Sequence, residues 1–336
     1  MLIRAQPAVQ LISPLDNDVF SKLVFRIREE LRERPHELHI WASIAGLVTL
    51  PGGCEVWYGE SPHYYVKLIG GPGTLARKIM EMKTDLPRYN CNLEIIDDAV
   101  HEVDHKIHIP PAEVDDDLED CTNEVMQLPL ISVVDPEKHF VKSPTYKQEI
   151  GYLLQCKGSK YIVQLIGRTE KGDLIFDKVD GCLVDSVVTR NTNKTRIQTI
   201  KKWMLDIIDG LIYLHSMGIV HRDLVSRNIL DPGLDASLII CDLQCLNASA
   251  LCSPYELDGG DYSRFSFASD VFGLGSLLWQ CSFYNDPFDR HVMIGNPPPV
   301  PFRDIFLACT MENPDERPTL LELKAMYEAI VFLDGC

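Results

Sequence analysis

The chain is short of positive charge. Its 32 lysines and arginines face 49 aspartates and glutamates across 336 residues, a formal net charge of −17 at neutral pH. An excess of that sign repels phosphodiester backbones and anionic headgroups, which argues against nucleic acid and membrane as partners. Long apolar runs are missing as well, although 46% hydrophobic residues suffice for a substantial core. No stretch approaches the length of about twenty apolar residues that crosses a bilayer. Met1 to Gln10 contains no apolar stretch of secretory type. Paired cysteines are also lacking: the eleven present are scattered without a framework. In a chain of this length they read as reduced thiols, and an intracellular protein, cytoplasmic or nuclear, is expected. Cys241, Cys245 and Cys252 come nearest to clustering, but a zinc site needs closer pairs and a fourth ligand. Small buried apolar side chains are the expectation for them.

The first hundred residues carry local signals of a small α+β unit. Ser13-Pro14-Leu15-Asp16 is a helix start, with Ser13 as N-cap, Pro14 in the first turn and an acid at Asp16. Val19, Phe20, Leu23, Val24, Ile27 and Leu31 then form one apolar stripe, and Pro35 stops the helix. His39–Ile44 and His63–Ile69 read as strands, Thr74–Met82 as a second helix, and Pro51-Gly52-Gly53 and Gly70-Gly71-Pro72-Gly73 as turns. Residues 1–104 are therefore expected to form an N-terminal α+β unit of unknown type. Residues 105–127 are expected to be an acidic linker, because Asp115, Asp116, Asp117, Glu119 and Asp120 crowd together there. The alternative is an acidic insertion inside one continuous domain.

The richest stretch is His221-Arg222-Asp223-Leu224-Val225-Ser226-Arg227-Asn228. Its acid, Asp223, and its carboxamide, Asn228, five residues on, sit together on one short loop. Upstream, Thr199 to Met217 carries Ile200, Trp203, Met204, Ile207, Ile208, Leu211 and Leu214 at helical spacing. Gly218-Ile219-Val220 then reads as a strand entering the loop. Downstream, Ser237 to Cys241 is a short apolar run ending in Asp242. Ser253-Pro254-Tyr255-Glu256, Ser269-Asp270-Val271-Phe272-Gly273-Leu274-Gly275 and Asn313-Pro314-Asp315-Glu316-Arg317-Pro318-Thr319 follow in that order.

These elements resemble, in order and spacing, the catalytic loop, metal-binding Asp, Ala-Pro-Glu, Ser-Asp-Val-Trp and Arg-Pro motifs of the protein kinase superfamily. The general look is that of its divergent, fungal-type members. The resemblance covers residues 128–332 and implies a two-lobed protein-kinase-like fold, α+β in class, with a small β-rich N-lobe and a helical C-lobe. It implies ATP and Mg as cofactors and a protein substrate or protein partner. By the same resemblance Asp223 is the catalytic carboxylate, Arg227 helps to hold the attacking hydroxyl as in tyrosine kinases, and Asn228 and Asp242 bind the metal. Glu256 and Arg317 are expected to form a buried ion pair.

The family also uses a strand lysine paired with a helix glutamate to hold the α- and β-phosphates. Lys142 with Glu149 is preferred. The alternative, Lys67 with Glu81, inserts roughly eighty residues before the strands that resemble the family's fourth and fifth, Tyr161–Gly167 and Asp173–Val179. Two features depart from the pattern. No Gly-x-Gly-x-x-Gly precedes Lys142: Leu128 to Pro136 contains no glycine at all. The usual glycine after the metal-binding Asp is replaced in Asp242-Leu243-Gln244. Two functions follow: an ATP-dependent protein kinase, divergent and slow, or a pseudokinase that binds and scaffolds. A small-molecule kinase of related fold is a minor third. The short segment from Asp242 to Glu256, with Ser249, Ser253 and Tyr255 as its hydroxyls, argues against regulation by loop phosphorylation.

Overall fold

The computed structural model describes residues 7–33, 44–58, 64–80, 86–88, 91–104, 119–183, 196–233, 236–243, 256, 265–283 and 290–333. The chain forms two compact units, one from residues 1–27 with 118–336 and the other from residues 28–117.

In the second unit three antiparallel strands follow one another: β2 (Ile44–Leu50), β3 (Gly53–Tyr58) and β4 (Tyr64–Ile69). Helix α2 (Leu75–Met80) crosses over to β5 (Leu93–Ile96), which lies parallel to β4, and β6 (Ala99–Glu102) closes the edge. Alternation decides what is buried. Cys54, Val56 and Tyr58 of β3, Val66 and Leu68 of β4, and Leu93 and Ile95 of β5 share a core with Ala76 and Ile79 of α2. The expected strand at 63–69 and helix at 74–82 correspond to β4 and α2. Most of the strand expected at 39–44, and all of residues 105–118, lie outside the described residues.

In the first unit, β1 (Gln10–Ile12) pairs in parallel with β12 (Ile330–Phe332). Helix α1 (Pro14–Glu33) follows, and Asp16 reaches back to accept from both the backbone N–H and the hydroxyl of Ser13 at 2.7 Å. Up to Ile27 this segment packs within the kinase-like unit, whereas composition alone grouped it with the residues that follow. The reason is specific contact. Phe20, buried, meets Phe302 edge-on at 5.7 Å. Asn17, also buried, accepts the Ile197 N–H at 3.1 Å.

The remainder of this unit begins with α3 (Thr122–Met126), inside the segment expected to be linker. A three-stranded antiparallel sheet has the order β7-β9-β8, from β7 (His139–Lys142), β8 (Leu165–Arg168) and β9 (Leu174–Asp177), with α4 (Lys147–Gln155) between β7 and β8. Next come α5 (Arg196–Ser216) and the short hairpin of β10 (Ile229–Leu230) and β11 (Ile239–Ile240). They are followed by α6 (Phe267–Phe283), α7 (Arg290–Gly295), α8 (Arg303–Cys309) and α9 (Leu320–Glu328). Helix α5 is the hub. Its apolar stripe, Ile197 through Leu214, is buried against α6 and α9. Gly218, at φ 78°, ends it: the Ile219 N–H reaches Leu214 O and the Gly218 N–H reaches His215 O, both at 3.0 Å. This closing turn needs the left-handed backbone that glycine adopts without strain. Residues 218–220 form this turn rather than a strand.

Candidate functional site

The unit holds a cleft of about 350 Å³. One end is charged, lined by Lys142, Glu149, Arg227, Asn228 and Asp242. The other is apolar, lined by Phe140, Val163, Phe176, Val179 and Leu230. The strand period explains part of this arrangement. Phe140 and Lys142 lie two residues apart on β7 and so share a face, and β9 brings Phe176 and Asp177 alongside.

At the charged end Lys142 Nζ donates to Glu149 Oε1 at 2.8 Å and to Asp242 Oδ1 at 2.9 Å. Glu149 sits in the first turn of α4 with only 2% of its side chain exposed, against 27% for Lys142. Burial works against the Lys142 charge, but the Glu149 and Asp242 carboxylates overcome it and hold the ammonium above its ordinary pKa. Burial likewise raises Glu149, and Lys142 offsets only part of that rise. The triad is thus two acids competing for one half-buried cation, one oxygen of Glu149 remaining buried without a hydrogen-bond partner. A second cation beside Asp242 would relieve the competition.

The catalytic-loop residues are held from behind. Asp270, buried in the first turn of α6, accepts from the backbone N–H of His221 at 2.9 Å and of Arg222 at 2.8 Å, and its carboxylate lies 2.8 Å from His215 Nε2. This anchor fixes Arg222 in a left-handed conformation at φ 70°; Asp242, held by Lys142, has φ 62°. Such backbone costs a non-glycine residue energy and persists where surroundings over-determine it. In front of the anchor, Asn228 Nδ2 donates to Asp223 O at 2.9 Å and to Asp223 Oδ2 at 3.0 Å. Its carbonyl oxygen is left to face another partner. Arg227, 72% exposed, approaches Asp223 at only 3.5 Å.

The six residues singled out from sequence therefore fall together in one unit. Lys142, Glu149, Asp242, Asn228 and Arg227 line the cleft, and Asp223 is bonded to two of them. The alternative lysine, Lys67, lies on β4 of the other unit, 3.6 Å from Glu94, and Glu81 is outside the described residues. Gln244, Ser249, Ser253 and Tyr255 are also outside them. Beyond the cleft, Arg317 donates to both carboxylate oxygens of Glu256, at 3.0 and 2.9 Å, with both side chains fully buried. Sequence reasoning had assigned no role to the apolar lining, Phe140 above all; Cys241, expected as a small buried apolar side chain, lines the cleft as well. The signal for Phe140 was its place two residues before Lys142 on a strand.

The model of the protein kinase domain matches residues 131–326. The chain belongs to this family. Curated kinases match over its kinase-like part. A probable serine/threonine-protein kinase of Dictyostelium discoideum is 30% identical over 45% of this chain and 17% of its own length. The probable serine/threonine-protein kinase PkwA of Thermomonospora curvata is 33% identical over 35% of this chain and 19% of its own. The receptor tyrosine-protein kinase erbB-4 of Mus musculus is 30% identical over 44% of this chain and 13% of its own. The chain thus spans less than a fifth of the length of these relatives. Among the described residues no helix is long and apolar enough to cross a membrane.

Proposed function

We propose that the chain is an ATP-dependent protein kinase that transfers the γ-phosphoryl group to a protein hydroxyl at a low rate. The observation that carries this is the position of Lys142 between Glu149 and Asp242, at the charged end of a cleft whose other end is apolar. An ammonium there neutralises the α- and β-phosphates of a bound nucleotide, and Glu149 keeps it aimed. Asp223 orients the attacking hydroxyl and takes its proton as transfer proceeds. Arg227 stands beside that carboxylate and the cleft mouth.

The donor set suits magnesium. Asp242 offers a carboxylate and Asn228 a carbonyl, both hard oxygens, and phosphate oxygens and water complete such a site. Among the described residues no three or more His, Cys, Asp or Glu side chains group to hold a metal by themselves, so the ion would come with its nucleotide. When bound, it supplies charge neutralisation across the phosphates.

One observation favours the second reading, a pseudokinase that binds and scaffolds. The small sheet has three strands, and residues 127–138 before β7 contain none to close over the phosphates. A single experiment separates the readings. Thermal stability is followed over millimolar Mg-ATP for the parent, Lys142→Met and Asp242→Asn, and phosphoryl transfer from labelled ATP is measured for the parent and Asp223→Asn. A ligand stabilises only the state that binds it, so the parent alone should shift. Asp223→Asn should keep its fold and lose about 10²–10⁴-fold in rate. Equal shifts in all three proteins would refute the site, and binding without transfer would establish the pseudokinase.

A further inference from the structure

Helix α1 is apolar over a wider arc than the kinase-like unit buries. Asn17, Phe20 and Val24 face inward and are buried. Roughly a quarter-turn round the helix, Val19, Leu23 and Ile27 form a second stripe, and Val19 is 48% exposed. That stripe is one wall of a groove of about 490 Å³. Pro297, Pro299 and Val300 line the groove as well, and so does β1. Leu11 and Val300 are 60% and 68% exposed. Apolar surface gathered in this way, with charge at its rim, marks an interaction site.

Three features define the occupant. The first is a strand edge. β1 belongs to a sheet of two strands. The Gln10 N–H donates to Ala329 O at 2.8 Å, and Ile12 O accepts from the Leu333 N–H at 2.9 Å, so the backbones of both residues point at β12. The N–H and C=O of Leu11, between them, point away, to an edge that no described strand covers. The second is Gln10, which lines the groove and has its Oε1 buried without a hydrogen-bond partner. A helix satisfies its backbone groups internally, whereas an extended chain has them free for both. The third is charge. Arg26 and Arg303 line the groove, and Arg303 is exposed with no ion-pair partner among the described residues. Asp16 lines it too, but the Ser13 N–H and hydroxyl engage its carboxylate. In a chain of net charge −17 this local excess of cations is an exception, and it attracts carboxylates.

We propose that the groove binds an extended peptide of a partner protein, apolar at alternate positions and acidic between them. The peptide adds to the outer edge of β1 as a third strand, lays its apolar side chains on Val19, Leu23 and Val300, and meets Arg303 with an acid. The groove shares no lining residue with the cleft, so this binding does not depend on phosphoryl transfer.

The test uses the full chain and two fluorescein-labelled pools of octapeptides with Val, Leu and Ile at alternate positions. One pool carries Glu between them, the other Lys, and both are titrated by fluorescence polarisation at about 0.15 M salt. The parent should bind the Glu pool tighter than the Lys pool by roughly tenfold or more. Arg303→Glu should reverse that order, and Val19→Gln should weaken the Glu pool by roughly tenfold. Methylating the backbone nitrogens of the Glu pool should abolish binding, because strand addition needs those N–H groups. Circular dichroism and ligand-free melting of both variants should match the parent: Val19 is half exposed, and Glu at the first position of α8 suits the helix dipole. A parent that does not bind the Glu pool saturably, or that prefers Lys, would overturn the proposal. Binding that both variants leave unchanged, or that survives methylation, would overturn it equally. So would a dimer in sedimentation that Val19→Gln dissociates, since the groove would then hold a second copy of the chain.

Discussion

Removing the Glu256 charge should strongly destabilise the kinase-like unit. Its carboxylate accepts two bonds from Arg317 and one from the Ser269 hydroxyl, at 2.6 Å, and neither ionic partner has exposed side-chain surface. Arg317 also donates to Met311 O and Ala268 O at 2.8 Å and to Glu312 O at 3.2 Å. Glu256→Gln keeps the shape and deletes the charge, so the guanidinium stays buried with three carbonyls and no counter-ion. Breaking a buried pair from one side costs about 3–5 kcal/mol. For a unit of roughly 250 residues, that corresponds to a fall of about 6–20 °C in melting temperature. The converse is the sharper test. In Glu256→Met with Arg317→Met neither charge remains, and the loss should fall short of the sum of the two single losses by about 1–3 kcal/mol. It should not vanish, because three carbonyls lose their donor. Denaturant unfolding of the parent, Glu256→Gln, the Glu256→Met and Arg317→Met single variants and the double variant measures this. Strict additivity, or a Glu256→Gln cost under about 1 kcal/mol, would refute the claim that the pair ties these segments together.

Two other outcomes are expected. Cys241 lines the cleft, and burial together with the Asp242 charge pushes its thiol up to about 12. A raised thiol pKa keeps the proton on, so at pH 8.5 it should hold about three orders of magnitude less thiolate than an ordinary cysteine. Site-resolved alkylation should find it nearly unlabelled when native and labelled when denatured; rapid native labelling would contradict this. Phe20→Ala should cost about 3–5 kcal/mol and lower the melting of the kinase-like unit, because the ring packs on Phe302; an effect confined to residues 28–117 would refute that placement.

What was legible in the sequence depended on distance along the chain. Helix α5 could be read because seven apolar residues recur at helical spacing, but Gly218, read as the start of a strand, instead closes the helix. Lys142 and Glu149 could be paired because the strands after them follow closely, although the seven residues that part them leave room for only a short helix. Asp223, Asn228 and Arg227 lie within one loop. Glu256 and Arg317 were legible through motif resemblance alone, since no local rule joins residues 61 apart. The placement of α1 was not legible. The partner of Asn17 is Ile197, 180 residues away, and an amphipathic stripe shows that a face is buried without showing what buries it. The open side of the cleft was half legible: the lack of glycine before Lys142 foretold a missing cover, but that residues 129–131 run beside β8 is a matter of backbone pairing. Both conclusions needed coordinates.

The pairing of β1 with β12 has a consequence for how the chain is made. Gln10 finds its partner, Ile330, only when that residue has left the ribosome. At about 5–20 residues per second the wait is roughly 15–60 s. During that interval residues 28–117, whose strands pair mostly with near neighbours, can fold. Ile12, destined for burial, must meanwhile stay in water or on a chaperone. Closing a loop of some three hundred residues then costs about 5 kcal/mol in chain entropy, less if the interior has already condensed. A chain halted before residue 330 therefore leaves the Gln10–Ile12 strand without its partner, and is marked for capture by the edge it has not yet paired.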